Sequence, residues 1–263
     1  PVREVEVVRQ RNGAVQRTLD RVAEEAPVAL VYHGVSYVVM LATPADLEDL
    51  GVGFTLSEGI VEDKREISFV QAVEREDKAF EVRIGLASQR FSALLRRVRN
   101  LTGRTGCGLC GVATIEEAMR SPRVQSDMRI CALELHEALA DLSNHQRINA
   151  QTGSVHAAAW VLPNRGIQVV REDVGRHNAL DKVIGAVTRS DQDISAGWLI
   201  VTSRASYEMV QKAAAAGVSF LAAVSAPTAF AVRLAQESGL TLVGFARERQ
   251  HVAYANEQRL ICD

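Results

Sequence analysis

The chain has 263 residues, of which 47% are hydrophobic, 24% charged and only 5% aromatic. A chain of this length and polarity buries about 70–75% of the surface its unfolded form exposes, which excludes disorder and collagen-like repeats. With 30 Lys and Arg against 32 Asp and Glu the net charge is −2, so no overall field gathers nucleic acid or an anionic membrane, and four cysteines are too few for a secreted disulfide scaffold.

Residues 1–6 alternate charge with valine and lack the apolar core of a leader peptide, so a cytoplasmic protein is expected. Residues 28–32 and 35–41 are apolar, β-branched runs divided by His33-Gly34, a hairpin signature. Thr43-Pro44 then offers a cap and a first-turn proline for a helix over 45–56. Strands over 67–73 and 80–86 and a helix over 88–100, with Phe91, Leu94, Leu95 and Val98 on one side, complete a strand-rich part.

The second half has another grammar. After apolar runs over 155–162 and 167–170, helices over 176–187, 207–217 and 228–239 alternate with short strands over 198–201, 220–224 and 241–245. Such alternation implies right-handed crossovers and a largely parallel sheet covered on both faces. Residues 213–232 carry no charge and are long enough to span a bilayer, but Gly217, Ser219, Ser225, Pro227 and Thr228 interrupt them, so no membrane insertion is expected. The expected organisation is a strand-rich lobe over 1–100, a mobile loop and connector over 101–127, and an α/β lobe over 128–263, all within one structural unit.

The most informative segment is Gly103-Arg104-Thr105-Gly106-Cys107-Gly108-Leu109-Cys110-Gly111, whose four glycines let two nearby thiols swing. Half a structural zinc site is one reading, but there is no second CxxC, and Cys131 and Cys262 stand alone. A thioredoxin-like dithiol is another, although Gly108-Leu109 makes a poor helix start. A zinc deaminase needs His-x-Glu before Pro-Cys-x-x-Cys; none of the six histidines is followed two positions later by glutamate, and Gly106 precedes Cys107. No metal site is therefore assigned. Between Glu81 and Glu116 the chain has no acid and six arginines: Arg83, Arg90, Arg96, Arg97, Arg99 and Arg104. That surround favours thiolate over thiol, so Cys107 or Cys110 is expected to be nucleophilic, although a solvated basic helix explains Arg96, Arg97 and Arg99 equally well.

In an open parallel sheet, ligands bind beyond the carboxyl ends of the strands, where helix N-termini present free N–H groups. Three successive turns there carry matching chemistry: Asp173 to His177, Ser203-Arg204-Ala205-Ser206, and Ser225-Ala226-Pro227-Thr228. Each alone reads as an ordinary helix cap, and together they point to a phosphate-bearing ligand, a nucleotide above all, with His177, Ser203 and Arg204 as contacts. His156 reads equally as a core or a site histidine, and Lys182 as a surface residue. Phe245, Ala246, Arg247, Glu248, Arg249 and Gln250 form either a solvated exit loop or a fourth wall of the same crevice.

These motifs resemble the FdhD family, accessory sulfurtransferases needed for formate dehydrogenase activity. The likeness runs through most of the chain, including Gly53-Phe-Thr-Leu-Ser-Glu-Gly-Ile60, the segment 103–111, Glu172-Asp-Val-Gly-Arg-His177 and Ser203-Arg-Ala-Ser-Tyr-Glu-Met-Val-Gln-Lys212. The resemblance implies a cytidine-deaminase-like α/β/α layered fold in a homodimer, with the metal chemistry absent. It further implies that an IscS-type cysteine desulfurase loads sulfur onto the pair, with Cys107 at the persulfide position; ordinary thiol exchange then makes Cys110 the expected shuttle or resolving thiol. The sulfur then passes to the molybdenum (or tungsten) of the bis(molybdopterin guanine dinucleotide) cofactor before its insertion into the formate dehydrogenase apoprotein. The family's cofactor-binding segment falls on residues 245–250, where Gln250 replaces the basic residue with which relatives can end it. GDP is the natural surrogate ligand. The competing reading is a non-catalytic chaperone that carries the cofactor while its cysteines pair or grip zinc.

Overall fold

The computed structural model of the chain describes residues 1–101, 122–247 and 249–261, and the side chains within 97–101 are left aside. Its frame is a six-stranded sheet, β8 (His156–Leu162), β9 (Gly166–Asp173), β10 (Trp198–Val201), β11 (Phe220–Ala223), β12 (Thr241–Arg247) and β13 (Gln250–Ala255), in the order β13-β12-β11-β10-β8-β9. The sheet is mixed. β10, β11 and β12 run parallel, while β8 pairs antiparallel with both β10 and β9, and β13 antiparallel with β12. The expected parallel sheet is thus its centre alone, because the tight turns after β8 and β12 leave no room for crossover helices.

Both faces are buried, so the central strands are apolar without interruption. Leu199, Val201, Leu221, Ala223 and Leu242 meet α5 (Arg176–Arg189), α6 (Tyr207–Ala215) and α7 (Ala229–Ser238). The alternate residues Trp198, Ile200, Phe220, Ala222 and Val243 meet Leu135, Ala138 and Leu142 of α3 (Ala132–His145). That helix carries no strong sequence signal. A short helix, α4 (Asn149–Thr152), precedes β8, and β7 (Ile130–Cys131) pairs with β14 (Leu260–Ile261) as a parallel patch.

A second, four-stranded sheet has the order β4-β3-β6-β5, from β3 (Ala26–Tyr32), β4 (Val35–Ala42), β5 (Ile67–Glu74) and β6 (Phe80–Leu86). His33 and Gly34, at φ 48° and 82°, turn the expected β3–β4 hairpin. Helix α1 (Leu47–Ser57) lies between this sheet and α5, which is why nine of its eleven residues are buried and its apolar residues run all round it. Two glycines set the spacing: a Cβ on Gly53 would fall 1.7 Å from the Asp181 carbonyl oxygen, and one on Gly185 would fall 1.9 Å from that of Asp49. Helix α2 (Ser88–Leu101) follows β6.

Two further expectations change, and one element appears that the sequence reading did not place. Helix α1 starts at Leu47, behind Asp46, because Thr43 does not cap it; the Thr43 amide donates to Asp173 Oδ2 and its hydroxyl accepts from the Val174 amide. Lys182 is wholly buried, its ammonium 2.6 Å from Asp173 Oδ2 and donating to the Thr43 carbonyl. Finally, the first 23 residues form a hairpin of β1 (Val2–Arg11) and β2 (Ala14–Ala23) around Asn12-Gly13, paired along ten residues a strand. No helix among the described residues is long and apolar enough to cross a membrane.

Candidate functional site

Because β9 runs parallel to β10, the carboxyl ends of β9, β10, β11 and β12 all lie at one edge of the large sheet, together with His156 at the start of β8. The three predicted turns meet there, stitched by backbone hydrogen bonds. The Thr228 amide donates to the Ala205 carbonyl, Ala205 bridges to Pro227, and the Phe245 amide donates to the Ser225 carbonyl.

Within this edge the side chains divide sharply. Asp173 is wholly buried and accepts from the Gly175 amide and Asn178 as well as from Lys182, so it is a structural pin. Glu172 is likewise spent, accepting from the Ile148 and Asn149 amides at the start of α4. Arg176 and His177, on the first turn of α5, are not. Arg176 Nε is buried without a hydrogen-bond partner, and so is the Ser206 hydroxyl at the N-cap of α6. His177 Nε2 lies 2.8 Å from Glu208 Oε2, an ion pair whose ring N–H does not point at the oxygen.

Charge follows this geometry. The imidazole of His177 beside it holds the Glu208 carboxyl below the usual carboxylate range. Burial, reinforced by the neighbouring Arg176 and His177, pushes the half-buried His156 below its ordinary value and so favours its neutral form. The result is an edge with two helix N-termini, an imidazole biased toward its neutral form, an unpaired guanidinium nitrogen and an unpaired hydroxyl. Such a set can offer charge-assisted hydrogen bonds to an oxyanion such as phosphate.

The remaining predicted residues take distinct places. Arg204 is exposed on the β10–α6 turn, while Ser203 is buried and its hydroxyl donates to the Arg204 carbonyl. Phe245, at φ 51°, is exposed where β12 turns away; Ala246 is buried in the core against the α3 face; Arg247, Arg249 and Gln250 are exposed. Cys107, Cys110, Arg104 and Glu248 lie outside the described residues. Of the arginines read as an acid-free surround, Arg83 pairs with Glu81, and Arg90 with Glu62 and Glu66, so acids beyond that stretch neutralise two of them. Arg176 falls within the predicted Asp173–His177 turn, whereas the sequence reading gives Glu208 no role, although it lies one turn after Arg204, where a carboxylate reaches the neighbouring helix start. A groove of about 580 Å³ lined by Leu56, Ile184, Thr188 and Ala215 sits at the opposite, C-terminal ends of α5 and α6 and holds none of these residues. Among the described residues no three His, Cys, Asp or Glu gather as metal ligands.

The model of the FdhD/NarQ family matches residues 23–261. The chain belongs to the FdhD/NarQ family. It is 51% identical over 255 residues to the sulfur carrier protein FdhD of Cupriavidus necator, covering 97% of this chain and 88% of that protein. The protein of the same name from Xanthomonas campestris is 51% identical over 265 residues, 99% of this chain and 94% of that one. In three dimensions the chain is similar to a crystal structure described as a formate dehydrogenase accessory protein from Desulfotalea psychrophila. The TM-score is 0.76 over 99% of both chains at 22% identity, which speaks for the fold alone. The FdhD/NarQ match begins at Ala23, so β1 and nearly all of β2 precede the segment common to the family.

Proposed function

We propose that this chain is a cytoplasmic sulfurtransferase that carries sulfur to the molybdenum cofactor of formate dehydrogenase. A cysteine desulfurase of the IscS type supplies the sulfur: the Cys107 thiolate attacks the outer sulfur of the desulfurase persulfide, a new S–S bond forms on Cys107, and the desulfurase thiolate leaves. Cys110 resolves or relays that sulfur by thiol exchange. The substrate is the bis(molybdopterin guanine dinucleotide) cofactor, delivered afterwards to the formate dehydrogenase apoprotein, and the chain works as a homodimer. The layering, helices on both faces of a sheet with parallel central strands, is read as cytidine-deaminase-like.

The observation that carries this reading is the carboxyl-end crevice, where Arg176 Nε and Ser206 Oγ are buried without partners beside His156 and His177. Unpaired buried donors cost about 1–3 kcal/mol each unless a ligand satisfies them, and the diphosphate of a guanine dinucleotide is such a ligand. In this reading His177, Ser203 and Arg204 serve the phosphate end, and the family's cofactor-binding segment 245–250 supplies further contacts through its exposed residues Phe245, Arg247, Arg249 and Gln250. The test has two arms. Mass spectrometry after incubation with a desulfurase and cysteine is expected to show one added sulfur that Cys107→Ala abolishes; undiminished persulfide in that variant overturns the assignment. Calorimetry with GDP is expected to show binding that weakens roughly tenfold in Arg204→Ala or His177→Ala, and no detectable binding overturns the crevice as the nucleotide site.

A further inference from the structure

We propose that His136 and His251 form a binding site for a divalent transition-metal ion, zinc above all, which clips the edge strand β13 to helix α3. The site goes beyond the sulfur-carrier reading and draws on none of its cysteines.

The two residues lie 115 positions apart in sequence, yet His136 Nε2 and His251 Nδ1 stand 3.1 Å from each other. Their rings are tilted by 47° with centroids 5.2 Å apart, so they meet through their edges and not their faces. The other four histidines are engaged elsewhere: His33 Nε2 meets the backbone of Leu86, His145 pairs with Asp141, His177 with Glu208, and His156 lies at the crevice. Among the described residues, the hydrogen bond of His136 and His251 is to each other alone.

One shared proton accounts for this contact, and so does one shared ion. Zinc binds imidazole nitrogen at about 2.0–2.1 Å, so two nitrogens 3.1 Å apart subtend about 95–102° at the metal. That angle lies between the square-planar and the tetrahedral value, so the nitrogens need not move apart. Each neutral imidazole then carries its single proton on the outer nitrogen, His136 Nδ1 and His251 Nε2, and the ion replaces the hydrogen bond without changing the charge of either ring. Burial and His136 hold His251 below its ordinary value, with no lysine or arginine among the described residues acting on it, which favours the unprotonated ring a metal needs. Imidazole suits zinc, copper and nickel, whereas magnesium and calcium take oxygen. Both rings are only partly buried, so water reaches the ion and completes its coordination, as in an open site.

The clip sits where β13 is least secured. His251 falls in the irregular stretch between the pairs Arg247–Gln250 and Gly244–Val252, just past Arg249 at φ 62°. Helix α3 is seated in the core against Ala222 and Val243, so an ion held by His136 and His251 ties the return strand of the 245–250 turn to a fixed element.

The experiment is a calorimetric titration with zinc chloride of the full chain carrying Cys107→Ser and Cys110→Ser, so that those thiols do not compete for the ion. One zinc per chain is expected, with affinity lowered at least about tenfold by His136→Ala and, separately, by His251→Ala, because each removes one of two protein ligands. Binding that only one of these substitutions weakens, or neither, places the zinc elsewhere and overturns the shared site, as does no saturable binding up to millimolar zinc. A second measurement needs no histidine variant: in the NMR spectrum of the same parent chain, the ring signals of His136 and His251 are expected to shift together and saturate with the calorimetric isotherm. Ring signals of either residue that stay in place at saturation overturn the site, even where a substitution has weakened the fold. Zinc is also expected to raise the melting temperature of the parent and of neither variant. Persulfide loading is tested on the unsubstituted cysteines, so failure of the metal site and failure of the sulfur-carrier reading are told apart.

Discussion

In the middle of α5, Asp181 and Lys182 are buried and fully engaged, whereas on its first turn Arg176 and His177 are half-buried and incompletely engaged. Asp181 holds Lys212 at 3.0 Å and accepts from Ser57, and Glu58 reaches the same ammonium at 2.7 Å. Lys182 is closed in by Asp173 and the Thr43 carbonyl. Burial pushes the Asp181 carboxyl up, and Lys212 opposes that shift. At the first turn, one guanidinium nitrogen has no partner and one imidazole has a poorly aligned one. Charge alone therefore does not separate scaffold from site along this helix. Whether the local partners complete the hydrogen-bonding capacity of each group does.

The sharpest way to break the contrast is to unpair the scaffold end. Lys182→Met leaves Asp173 buried against no cation and is expected to cost about 3–5 kcal/mol in chemical denaturation; a loss under about 1 kcal/mol would show that Lys182 does not act as scaffold. Next in size is Gly53→Ala. Its Cβ meets backbone, which cannot rotate away, so α1 and α5 must separate at a cost of about 1–3 kcal/mol or more.

At the site end the effects are smaller and show in pH. Glu208→Gln is expected to cost less than about 1 kcal/mol at neutral pH, because the pair is partly solvated. The depressed carboxyl contributes stability that is complete above its ordinary value of 4.5 and is lost as pH falls through its lower folded value. Denaturation curves of the two proteins should therefore converge in acid, and a constant gap across pH would refute the pairing. Smallest in energy, Arg176→Gln removes one of the two cations facing His156. The His156 NMR titration midpoint should rise toward its ordinary value of 6.5, because burial and His177 still lower it while Asp173 opposes them and Arg176 no longer contributes.

The large sheet's centre was legible because its apolar runs and turn residues obey simple periods. Residues 198–201 form the predicted strand, and Thr228 and Gly239 flank α7 as N-cap and left-handed C-cap. The convergence of three turns on one edge followed from strand order. Other features were hidden for physical reasons. Lys182 looked like a surface residue since nothing local announces that Thr43 and Asp173, 139 and nine residues away, close around it. The β1–β2 hairpin did carry a signal, Asn12-Gly13 between alternating strands, but its two faces are almost equally polar, which masks the period of two. The antiparallel flanks depend on pairing choices that apolar runs do not encode.

The glycine contact between α1 and α5 has a mechanical meaning as well. Side chains normally form a layer that can rotate and absorb small shifts between helices; at Gly53 and Gly185 the backbones touch and no such layer exists. A displacement of the four-stranded sheet, on which α1 is seated, must then reach α5 undamped. Helix α5 begins with Arg176 and His177, so the four-stranded sheet and the edge that carries these two residues are joined through a direct backbone contact.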